Sequence, residues 1–145
     1  MLPTLNGRIQ TRMAVLLVVG GVWTLILTPL LGLPGSLSEA YRTTFVILLT
    51  TIALGVGWEF VYHFIQQFRW EKDWPTFFGL ITVVNEGALV WLLLSLEAVP
   101  GIEGRVPLGA FLLLFLTTWV IVWLTVNGPM RVPFIRWRFR GGRLI

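Results

Sequence analysis

Four residues in the middle of the chain are candidates for chemistry: Glu59, His63, Asn85 and Glu86. Glu59 and His63 continue a series begun by Thr51 and Gly55 at a spacing of four, and Gln66 and Gln67 extend it. Side chains four apart share one face of a helix. This segment therefore predicts a polar stripe, with Phe60, Val61, Phe64, Ile65 and Phe68 on the opposite side. Gly79, Thr82, Asn85, Glu86 and Gly87 form a second polar strip on the segment that follows. At about 1.5 Å per residue, Glu59 falls ~12 Å from a helix end near Gln67, and Glu86 ~15 Å from one at Thr76. Two carboxylates are thus expected at similar depth on touching antiparallel helices, with His63 one turn nearer the helix end.

Four chemistries fit such a group. The leading one is a hydrogen-bonded clamp between helices with at least one carboxyl protonated, since polar side chains hold apolar helices together. The second is a proton or cation path, because ionisable groups inside a membrane are functional candidates. A third pairs the carboxylates with Arg or Lys from another chain or with a lipid headgroup. The fourth is a metal site, which ranks last. One imidazole and two carboxylates are a thin ligand set, unlike the two-histidine, one-carboxylate iron pattern. No metal and no cofactor is expected.

The elements that must position these groups follow from composition. The chain has 145 residues, 56% of them hydrophobic and only 12% charged. A water-soluble domain carries about 25% charged residues. Without cysteine, disulfides and thiol chemistry are excluded, and a single histidine rules out a multi-histidine cage. Met13 to Ser38 and Val106 to Met130 are free of charged residues, and each holds the ~20 residues a spanning helix needs. The two middle segments each contain one acid. On insertion scales its cost of about 2.5–3.5 kcal/mol is offset by a dozen apolar residues at roughly −0.3 to −0.6 each.

The fold class is therefore an all-α integral membrane bundle. Four transmembrane helices are expected near 13–33, 43–67, 76–96 and 107–127, in a single domain with a basic tail over 128–145. Leu33-Pro34-Gly35-Ser36, Pro100-Gly101 and Asn127-Gly128-Pro129 punctuate the helices. Pro75 suits a first turn, and Pro29 should kink or end the first helix early. Ser38-Glu39-Ala40 loosely resembles a signal-cleavage site, but the preceding apolar run exceeds the ~7–15 residues of a signal core.

Charge sets an orientation. Arg8 and Arg12 in the N-terminal tail, Arg69 and Lys72 in the second loop, and Arg131, Arg136, Arg138, Arg140 and Arg143 in the C-terminal tail share one side. Only Arg42 and Arg105 fall on the other. Basic residues in short loops stay in the cytoplasm, so both termini are expected there. The imbalance also disfavours an antiparallel homodimer of dual topology.

The loop carries Arg69, Trp70 and Trp74 around alternating charges, and reads as an interface anchor or a docking surface for a partner. In the tail, Ile135, Trp137 and Phe139 alternate with Arg136, Arg138 and Arg140. An extended segment would place aromatic and apolar groups on one side and guanidiniums on the other. That pattern suits the anionic headgroups of a bilayer, at about 1 kcal/mol per basic residue. Strand addition to a partner is the alternative, and nucleic acid is not expected. No phosphate-binding loop, dinucleotide fingerprint or nucleophile elbow is present.

The expected function is that of an accessory, assembly or structural component of the cytoplasmic membrane, multi-pass, as a homo-oligomer or within a larger complex. A small proton- or cation-linked transporter using Glu59 and Glu86 is the alternative, followed by an intramembrane lipid-modifying enzyme.

Overall fold

The computed structural model describes residues 4–70 and 75–145. Trp74, one of the expected interface residues, lies outside the described residues. All regular structure among the described residues is helical, and four helices are long and apolar enough to cross a membrane. We label them α1 (Leu5–Leu30), α2 (Leu37–Gln67), α3 (Thr76–Ser95) and α4 (Leu108–Asn127); a short α5 (Ile135–Phe139) follows in the tail. Each long helix packs against its neighbours in the chain, and α4 returns against α1 to close a four-helix ring.

The first helix begins earlier than the charge-free stretch suggests. Thr4 caps it by accepting the Gly7 N–H at 3.1 Å, so Arg8 and Arg12 belong to α1 and not to a tail. Along α1, Arg12, Leu16, Gly20, Thr24 and Thr28 recur every four residues and turn inward. An α-helix turns about 100° per residue, so a strict spacing of four drifts about 40° per step. A π-helical turn over Leu16–Gly20 winds more slowly and pulls this series back onto the bundle axis. As Pro29 implies, α1 ends in a 3₁₀ turn, Thr28–Leu30.

The second helix also starts before its expected boundary. Ser36 and Glu39 form a reciprocal capping box, with the Ser36 N–H donating to Glu39 Oε2 at 2.6 Å. The sequence Ser38-Glu39-Ala40 is thereby the first turn of α2. In its second half, the Phe60, Phe64 and Phe68 face is exposed, opposite the polar stripe.

The main apolar core joins Ile47, Val90, Leu94, Phe111, Phe115 and Trp119. On α4 the rings of Phe111, Phe115 and Trp119 stack at 5.4 and 5.6 Å between centroids. Gly87 lets α3 approach this ladder, since a Cβ there would lie 2.9 Å from Phe115 Cε1. Thr76–Ile81, the first part of α3, lies against α4, while Val83–Ser95 also packs on α2.

The tail is not extended. It turns back onto α1 through α5, which buries Trp137 against Val15 and Met130 and leaves Ile135 and Phe139 exposed. The expected separation of apolar and cationic faces is thus overturned. One side chain anchors the segment, and the helical turn scatters the rest around its circumference. The Trp137 indole N–H donates to Thr11 Oγ1 at 2.7 Å, and that hydroxyl donates to Gly142 O at 2.8 Å. Gly7 makes the docking possible. A Cβ there would overlap Gly141 O and stand 2.7 Å from Gly142 C. The first turns of α1 and the C-terminal tail therefore lie together at one end of the bundle.

Candidate functional site

Glu59 and Glu86 do come together, through arginines whose role the sequence analysis missed. Arg12 Nε donates to Glu59 Oε1 at 2.7 Å, while its Nη1 and Nη2 donate to Glu86 Oε2 and Oε1 at 2.6 and 3.0 Å. Arg8 Nε donates to Glu59 Oε2 at 2.6 Å, and its Nη1 donates to Gln66 Oε1 at 3.1 Å. The order Arg8–Glu59–Arg12–Glu86 is a chain of alternating charges, two positive and two negative. It ties α1 to α2 and α3. The fork of Arg12 meets Glu86 with both terminal nitrogens, the geometry in which guanidinium and carboxylate match best.

All four side chains are sequestered, with relative exposures of 8% for Arg8, 12% for Arg12, 7% for Glu59 and 2% for Glu86. Charges so far from water persist only when paired and hydrogen-bonded. The remaining partners fit that demand. Tyr62 OH donates to Glu86 Oε1 at 2.9 Å and accepts from Asn85 Nδ2 at 2.7 Å. The Arg12 guanidinium lies 5.7 Å from the centre of the Trp119 ring, a cation–π contact from α4.

Gly55 makes the space. A Cβ at this position would stand 2.6 Å from Arg12 Nη1. The spacing of Thr51, Gly55 and Glu59 predicts a polar stripe. Its physical sense is a slot for a side chain from α1, with the acid one turn away.

His63 is not part of this network. It is half-buried, and its Nδ1 has no hydrogen-bond partner. Asn85 enters only through Tyr62, which the spacing-of-four pattern omitted. Among the described residues, no group of three or more His, Cys, Asp or Glu side chains is placed to hold a metal ion. The third reading, a cation lent by another chain, is not needed, because Arg8 and Arg12 of this chain take that place. One signal in the sequence pointed there. Arg8 and Arg12 are themselves spaced by four, and two acids inside apolar helices require two cations at matching depth.

Above the network, toward the end where the termini meet, lies a vestibule of about 420 Å³. Arg8, Arg12, Glu59 and Tyr62 line its floor, and Trp119, Trp123 and Val126 of α4 line one wall. Thr76, Gly79 and Thr82 of α3 face them, with Arg131, Trp137 and Gly142 also in the lining. The indole N–H groups of Trp119 and Trp123 donate to Gly79 O at 3.1 Å and Thr76 O at 3.0 Å. These bonds hold the first turns of α3 on α4.

The outer residues divide by position. Trp70 is fully exposed, and Arg69 stacks over the Phe78 ring at 4.9 Å. Arg136, Arg138, Arg140 and Arg143 are exposed on the tail. Arg131 is exposed and donates to Asn127 Oδ1 at 2.9 Å. In comparisons with family models, with curated proteins and with solved structures, nothing matches this chain.

Proposed function

We propose that this chain is a small multi-pass component of the cytoplasmic membrane, with both termini in the cytosol. It acts by packing with copies of itself or within a larger complex. The observation that carries this reading is the closure of the charge network. Each carboxylate oxygen accepts from a guanidinium of the same chain, and the two cations balance the two anions. Such a network locks three helices in register. An ion-conducting site, by contrast, holds its ligand weakly enough to release it.

The orientation draws on the same network. Arg8 and Arg12 are neutralised within the bundle, which removes them from the charge count. Arg69, Lys72 and the five tail arginines still outweigh Arg42 and Arg105. The exposed tail arginines are available to anionic headgroups.

Purification from native membranes in a mild detergent tests the proposal. A stoichiometric partner or a homo-oligomer should co-elute; a lone monomer in every detergent tried would refute it. A second reading, proton- or cation-linked transport, is favoured by one observation: the vestibule reaches Glu59. Reconstituted into vesicles, the protein should show no flux sensitive to Glu59→Gln or Glu86→Gln. A flux abolished by either change would favour transport over packing.

A further inference from the structure

We propose that the vestibule is a binding site for an amphiphile bearing a single oxyanion, a carboxylate or a phosphate, on an apolar or aromatic body. The size is suitable, because ligand pockets typically run from about 300 to 1,000 Å³, and this one holds about 420 Å³. The chemistry of its two ends is different. On the floor, Arg8, Arg12 and Glu59 are exposed to the vestibule, and Glu86, bonded to Arg12 beneath them, completes the cancellation of charge. Along the α4 wall, Trp119 and Trp123 have spent their N–H groups on Gly79 and Thr76 carbonyls. Their remaining surface is aromatic, continued by Val126. That wall suits an apolar body.

The mouth is cationic. Arg131 lines the vestibule, is exposed, and has no acid within ion-pair distance among the described residues. The tail that folds over the same end carries four more arginines and no acid. With the inner charges balanced, the field at the entrance is set by these cations, so it draws anions and repels cations. A guanidinium at the rim offers the forked donor that carboxylate and phosphate oxygens match.

The test uses the full-length protein in phosphatidylcholine nanodiscs, titrated with octyl phosphate by calorimetry. Saturable one-to-one binding is expected. Inorganic phosphate and octyltrimethylammonium should each bind at least about tenfold more weakly, since one lacks the body and the other the charge. Arg131→Gln should weaken octyl phosphate binding by about five- to tenfold. Gly79→Leu should abolish it. The first carbon of that side chain would sit at an ordinary 3.7 Å from Trp123 Cδ1, so the helix tolerates it while the rest fills the space.

Equal binding of the ammonium compound would overturn the proposal, as would binding indifferent to both substitutions or no saturable binding at all. Repeating the titration in nanodiscs containing phosphatidylglycerol identifies the source. Competition by the anionic lipid assigns the site to a bilayer headgroup, and unchanged affinity assigns it to an anion from the aqueous phase. No protein partner enters this measurement, so its failure would leave the packing function standing, and the reverse also holds.

Discussion

A methyl group at position 55 would stand 2.6 Å from Arg12 Nη1 and 2.9 Å from its Cδ. Gly55→Ala should therefore expel the guanidinium and leave Glu86 without its cation. The expected cost is about 3 kcal/mol, the range for a buried ion pair broken on one side. Gly57, two residues along, has nothing within 4 Å of its would-be Cβ. Gly57→Ala should be neutral or stabilising by up to about 1 kcal/mol, from helix propensity alone. Thermal unfolding of the two variants in one detergent compares them directly, and equal melting temperatures would mean that Arg12 does not occupy the slot. The pair itself can be separated from its surroundings by a double-mutant cycle. Arg12→Met alone should cost about 3–5 kcal/mol, because Glu86 keeps its burial and loses its countercharge. Adding Glu86→Gln should restore at least about 1 kcal/mol of that loss, since the stranded charge is gone. Purely additive losses would refute the coupling.

At the scale of the element, the apolar lengths and the turn residues made α3 and α4 legible almost to their ends. Pro75, Pro107 and Gly128 flank them where helix physics expects them. The start of α1 was obscured for a specific reason. Charge-free runs mark where hydrocarbon tolerates a helix, and Arg8 and Arg12 end such a run even though the helix continues beneath them. Only the acids on α2 and α3 make those arginines tolerable, and that pairing spans more than forty residues of sequence. The tail failed differently. Period two is a valid strand signal, but the burial of one side chain, Trp137, outweighed it. The end of α3 gives a prediction at this scale. The Ala98 N–H donates to Leu93 O at 3.0 Å and the Glu97 N–H to Leu94 O at 3.1 Å, a Schellman cap. Its left-handed position, φ 53°, is filled by Glu97 and not by glycine. Glu97→Gly should raise stability by roughly 0.5–1 kcal/mol by relieving that backbone conformation. A lowered melting temperature would show that the exposed Glu97 side chain matters more than the backbone.

For the whole molecule, the folding of both termini onto one end of the ring turns orientation into a single question, because the tail cannot cross alone. Gly141 and Gly142 accept hydrogen bonds from Thr4 and Thr11, so whichever side receives α1's first turn also receives the arginines. The absence of cysteine makes the answer accessible to single-cysteine labelling. Glu103 lies exposed in the connection between α3 and α4, at the opposite end from the exposed Arg143. A membrane-impermeant maleimide added to intact cells should label Glu103→Cys. It should reach Arg143→Cys only after permeabilisation. The charge imbalance drives this expectation, since a basic tail of this kind resists translocation. Labelling of Arg143→Cys alone on intact cells would reverse the orientation and remove anionic cytoplasmic lipids from the tail's surroundings. Labelling of both positions on intact cells would mean that copies insert in both directions. In that event the buried Arg8–Glu59–Arg12–Glu86 chain, which is neutral and indifferent to sidedness, would be the feature that lets either orientation fold.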